Sequence, residues 1–189
     1  MAKIIEIKNA PLIFFDLEMT GLSPLSHEIM EIGAVRAVRE GTAWKISDQK
    51  NWLVAPTHIA SANPDALKVF GYSESEWKDA LPLETALREF IVFAEGGFLI
   101  GHDSAVDWSF LSPALDRFGI VNTADYHILD TASMAYTLLG GNSSISLGDL
   151  AERYGIKRER AHRASDDALT TFRVFSAMWN EFRIKSHSI

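Results

Sequence analysis

The chain has 189 residues, and its 18 lysines and arginines are outnumbered by 25 aspartates and glutamates, a formal net charge of −7. That balance weighs against gripping nucleic acid by bulk positive charge, but not against an enzyme whose carboxylates are metal ligands, since bound cations reverse the local field. Cysteine is absent, which excludes disulfides, thiolate zinc sites and cysteine nucleophiles.

The length is that of about one domain at roughly 150 residues each. No repeat or linker-like stretch divides it, so one domain over 1–189 is expected, with a core of about 11–182. The opening run MAKIIEIK carries charges every few residues and has no apolar stretch of signal-peptide length. No window approaches about 18 apolar residues. A cytoplasmic protein with no membrane partner is the expectation.

Residues 11–18, Pro-Leu-Ile-Phe-Phe-Asp-Leu-Glu, begin as a continuous apolar run, as for a strand buried on both faces. Thr20 to Pro24 is turn material. Residues 28–39 and 44–54 read as two further strands, making an antiparallel three-strand meander. From Pro64 the pattern turns helical. A short helix ends at Gly71, and another is expected over 73–80, with Ser73 and Glu76 spaced as a capping box. A helix over 83–94 stops at Gly96-Gly97. Residues 98–101 form a short buried strand, 106–118 a helix with Phe110 and Leu111 towards the sheet, 127–130 a strand and 131–139 a helix. A loop at 140–142 leads to a helix over 146–154. The last helix covers 164–182, and a frayed tail is expected at 185–189. Strands first, then strands alternating with helices, make an α/β fold with a mixed sheet, the meander joined by parallel strands and flanked by helices.

Asp16-Leu17-Glu18 closes the first strand. Side chains at i and i+2 share a face, so two carboxylates project together from an apolar sheet. That is costly without a cation between them, although a strand end emerging into solvent would also read this way. Asp107 falls in a first helical turn behind the buried strand ending at Gly101-His102, at the carboxyl end where ligands gather in α/β sheets. A helix-dipole partner has the same placement. His162 and Asp167, five apart, would lie about 140° around one continuous helix. They can face one site only if His162 lies in the loop before the helix. Taken singly, His162 reads as a surface histidine, and Asp166 and Asp167 as caps. The basic residues Lys157, Arg158, Arg160 and Arg163 surround His162. They fit phosphate contacts and a solvated loop equally.

Asp16-x-Glu18 with Thr20-Gly21-Leu22, Gly101-His102 leading to Asp107, and His162 followed by Asp167 together resemble the DnaQ-like (DEDDh) 3′–5′ exonuclease family. Lesser marks are Glu31-Ile32-Gly33-Ala34-Val35, Asp130-Thr131 and Ser146-Leu147-x-x-Leu150-Ala151. The similarity runs from about Leu12 to Trp179. It implies a ribonuclease-H-like fold, with Asp16, Glu18, Asp107 and Asp167 holding two divalent ions, Mg2+ or Mn2+, and His162 as general base. It also implies substrate contacts from Thr20, Gly21, Leu22, His102 and Asp103. Leu22 is at the position that wedges against the terminal base. The family's Asn after Gly-His is Asp103 here, a fifth carboxylate near the site, and the aromatic residue often found before the third acid is Val106.

The implied reaction is hydrolysis at the 3′ end of single-stranded DNA or RNA to release nucleoside 5′-monophosphates, with a DNA polymerase subunit as a further partner. Residues 16–22 also match the opening of oligoribonucleases, which keeps an RNA exonuclease open. The stretches 64–80 and 146–155 look more like polymerase proofreading subunits and their free-standing relatives. A catalytically idle nucleic-acid-binding or polymerase-tethering domain, and a hydrolase of other phosphate esters, are the remaining alternatives.

Overall fold

The computed structural model describes residues 10–141 and 145–186. The opening run examined for targeting lies outside these residues, as do Asn142 and residues 187–189 of the expected tail. Among the described residues, no helix is long and apolar enough to cross a membrane.

β1 (Leu12–Met19) owes its central place to its composition, because strands buried on both faces need apolar residues at successive positions. Its odd-numbered residues Ile13, Phe15 and Leu17 join Leu87, Phe90, Phe110 and Leu111 in one core. Its even-numbered Leu12 and Phe14 join Phe172 and Phe175 in another. β2 (Ile29–Glu40) pairs antiparallel with β1, and β3 (Ala43–Leu53) antiparallel with β2. β4 (Phe98–Gly101) and β5 (Ile128–Asp130) add in parallel on the other side of β1, giving the order β3-β2-β1-β4-β5. This is the expected mixed sheet.

Of the remaining elements, α1 spans Pro64–Phe70, α2 Leu83–Phe93, α3 Ala105–Arg117, α4 Thr131–Leu138, α5 Leu147–Arg153 and α6 Ala164–Ser186. α2 and α3 supply the first core and α6 the second. Phe14 sits between Phe172 and Phe175, with ring centroids 5.3 and 5.2 Å away. Such aromatic pairs add about 0.5–1.5 kcal/mol each beyond the area they bury. α4 and α5 pack on α6 through Ala135, Leu150, Ala151, Val174 and Met178.

Two expectations are corrected. No α-helix forms over 73–80, where the chain makes turns and a single 3₁₀ turn at Trp77–Asp79. The Ser73 hydroxyl does accept from the Glu76 N–H at 3.3 Å. The Glu76 carboxylate, however, does not reach back to Ser73; it accepts from Arg163 Nη1 at 2.6 Å. The Trp77 indole donates to the Met30 carbonyl at 3.1 Å, burying the ring beside Phe70. Long-range partners thus replace the local ones a helix needs. The second correction is at the C-terminus. α6 continues through Lys185 and Ser186, where fraying was expected, and the Lys185 ammonium lies 2.7 Å from Glu181 one turn back.

Candidate active site

The even-numbered face of β1 carries Leu12 and Phe14 against α6, and Asp16 and Glu18 continue that series. In the β1–β2 register Asp16 lies opposite Gly33 and Glu18 opposite Glu31. Gly33 is what lets α6 start here. A Cβ built on it would fall 2.1 Å from the Ala164 carbonyl carbon. The first turn of α6 therefore rests directly on β2 beside the two carboxylates, and Asp167 enters the site from that turn.

His162 lies in the loop two residues before α6, exposed, with φ 61°. This left-handed conformation is uncommon outside glycine. It is held by the His162 N–H, which donates to Asp167 Oδ2 at 2.9 Å. Glu18, His162 and Asp167 each offer a ligand atom within 4.8 Å of the others. Asp166 points elsewhere and accepts from Arg160 at 3.2 Å.

Asp107 comes from the first turn of α3 and is 5% exposed; its Oδ1 accepts from the Leu17 N–H at 3.2 Å. That turn is set by β5. Asp130 caps α4 through Ser133 N (2.7 Å) and also accepts from Ser104 N (2.9 Å). Thr131 donates to the Gly101 carbonyl at 3.0 Å, and its hydroxyl lies 2.9 Å from His102 Nδ1. Asp103 is exposed with φ 56°, a conformation that Asn and Asp tolerate better than most residues.

The electrostatics follow from crowding. Burial, reinforced by Asp107, Glu18, Asp167 and Glu31, holds Asp16 well above the usual carboxylate range. Burial and the charges of Asp167, Glu31 and Asp107 push Glu18 up to about 8, opposed by Arg163. Burial pushes Asp107 up to about 7, against the Leu17 hydrogen bond and helped by Asp103 and Asp130. A cluster of hard oxygen donors that repel one another fits divalent metal binding.

The residues expected to contact substrate divide. Thr20 is buried, with its hydroxyl accepting from Glu28 N at 2.8 Å and its backbone N–H and carbonyl bonded to Glu28 and Asn63. It closes the loop rather than facing out. Gly21 is buried under His27, whose ring would lie 2.5 Å from a Cβ there. Leu22 is 83% exposed.

The basic cluster splits as well. Arg163 is neither a phosphate contact nor solvated. It is buried, donating to Glu31 at 2.9 and 3.3 Å and to Glu76 at 2.6 Å, with its guanidinium over the Trp77 ring. Glu31, a fully buried carboxylate beside the cluster, escaped sequence reasoning as a site residue. Its signal was a charge among apolar strand positions. Arg158 reaches Asp167, Nη2 to Oδ1 at 2.7 Å.

The RNase_T family model, described as "Exonuclease", matches residues 13–175. The DNA polymerase III PolC-type of Caldanaerobacter subterraneus subsp. tengcongensis is 35% identical over 179 residues, covering 93% of this chain and 12% of the polymerase. That of Thermotoga petrophila is 32% identical over 169 residues, covering 89% of this chain and 12% of that one. Escherichia coli Exonuclease I, solved with a dT13 oligonucleotide, superposes with a TM-score of 0.76 at 14% identity, covering 94% of this chain and 43% of that one. The chain thus spans about an eighth of the polymerases it matches and under half of Exonuclease I. The sheet order, the acidic face of β1 and the family match agree: the chain belongs to the RNase_T exonuclease family.

Proposed function

We propose that the chain is a metal-dependent 3′–5′ exonuclease acting on single-stranded ends and releasing nucleoside 5′-monophosphates. The observation that carries this is the convergence of Asp16, Glu18, Asp107 and Asp167 on one spot with His162 beside them. Asp16, Glu18, Asp107 and Asp167 would hold two Mg2+ or Mn2+ ions, which supply charge neutralisation for the attacking and leaving oxygens of an in-line displacement. His162 takes the proton from the attacking water as general base. The new bond joins that oxygen to the phosphorus of the terminal nucleotide, and the bond to the 3′ oxygen of the preceding nucleotide breaks, that oxygen taking a proton from solvent water to become the new 3′ hydroxyl. Leu22, exposed on the loop behind Glu18, wedges against the terminal base. The exposed Asp103 and the neighbouring His102 line the nucleotide side.

Single-stranded DNA is the favoured substrate, on the polymerase relatives and the oligonucleotide-bound Exonuclease I. A DNA polymerase is the fitting partner, and one exonuclease domain over 1–189 in a cytoplasmic setting goes with this reading. The oligoribonuclease reading rests on residues 16–22 alone. An idle tethering domain would not keep the four carboxylates and the histidine together.

End-labelled DNA and RNA of matched sequence test the proposal. With Mg2+ or Mn2+, a 3′ label leaves at once as a mononucleotide and a 5′-labelled strand shortens stepwise. Internal cuts, or hydrolysis of mononucleotide esters alone, would contradict it.

A further inference from the structure

Asp167 has both carboxylate oxygens engaged within the chain, Oδ2 by the His162 N–H at 2.9 Å and Oδ1 by Arg158 Nη2 at 2.7 Å. Arg158 holds this place on a loop, the stretch between α5 and α6 that also carries His162. Its guanidinium is only partly settled there. The Nε atom is buried without a hydrogen-bond partner, a state that costs free energy in a native structure. Nη1 lies against the start of α5, 3.3 Å from where a Cβ on Gly148 would be. A planar fork of donors on a carboxylate is equally suited to a phosphate.

We infer that Arg158 is a phosphate-contacting residue held in reserve. It neutralises Asp167 while the site lacks divalent cations, and it turns to the nucleic-acid backbone once a cation claims that carboxylate. The inference rests on the metal-site reading above. The exchange keeps charge matched at each stage. In the metal-free site a guanidinium sits on a carboxylate otherwise set among the like charges of Asp16 and Glu18. In the loaded site a fixed guanidinium beside a divalent cation would be repelled, and a phosphate is the anion that relieves it. Arg163 cannot serve this way, because Glu31 and Glu76 hold it in the interior.

The test is Mn2+ binding to the whole chain by calorimetry, together with steady-state kinetics on a short single-stranded oligonucleotide. Arg158→Met keeps the stem and removes the charge. It is expected to bind Mn2+ about tenfold more tightly than wild type, and its KM for the oligonucleotide rises about tenfold while kcat changes less. Arg158→Lys, which restores a cation, returns Mn2+ affinity towards wild type. Arg158→Met binding Mn2+ no better than wild type overturns the inference, because Arg158 then supports Asp167 as a ligand instead of competing for it. Asp16→Asn separates the two claims. If it binds Mn2+ as tightly as wild type, the metal-site reading falls and this inference with it. If it loses Mn2+ while Arg158→Met gains nothing, this inference alone falls.

Discussion

Replacing Asp107 with Asn isolates what the crowded carboxylates cost the metal-free protein. Asp107 is pushed from its ordinary 3.8 to about 7 by burial, with Asp103 and Asp130 adding repulsion. The folded state therefore binds a proton more tightly than the unfolded chain between about pH 4 and pH 7. Stability from this group is complete below pH 4 and is lost as pH rises through 7. A displacement of about three units at 1.36 kcal/mol each sets a ceiling of about 4 kcal/mol. Asn keeps an acceptor for the Leu17 N–H and carries no charge. Urea unfolding with divalent ions removed is expected to find Asp107→Asn more stable than wild type at pH 8, by up to about 4 kcal/mol, and nearly equal at pH 4.5. Added Mg2+ should recover stability in wild type and not in the variant. A variant equal to or weaker than wild type at pH 8 would refute the reasoning.

Two further substitutions probe the frame that holds the site. Gly33→Ala forces a Cβ to 2.1 Å from the Ala164 carbonyl carbon, so α6 must shift off β2. Thermal unfolding should show a loss of about 1–3 kcal/mol or more, with nucleotide release falling further because His162 and Asp167 move with the helix. Arg163→Met leaves Glu31 buried and unpaired, at a cost of about 3–5 kcal/mol. The double variant with Glu31→Gln should recover most of that loss, measured by urea unfolding.

Elements whose signal is local were readable from the chain. β1 shows itself by an unbroken apolar run, and α2 by helical spacing up to Gly96. Where partners lie far off in sequence, reading failed. Ser73 and Glu76 are spaced as a capping box, yet Glu76 is drawn to Arg163, 87 residues away. Arg163 looked like one more member of a basic loop because its partner Glu31 is 132 residues distant. Gly33 gave no local hint that a helix terminus rests on it. For the candidate site, residue types and order could be read, and so could the need for His162 to precede α6. The Asp167–Arg158 contact and the burial of Thr20 depend on tertiary packing and could not.

The central claim is that the carboxylates gathered at the end of β1 and the start of α6 carry out nucleotide release. Its most direct test compares wild type with Asp16→Ala, releasing nucleotide from 3′-labelled single-stranded DNA in Mg2+, with circular dichroism on both proteins. The account predicts a rate lower by orders of magnitude in Asp16→Ala with the fold retained. A folded Asp16→Ala protein that releases nucleotide at the wild-type rate would contradict it.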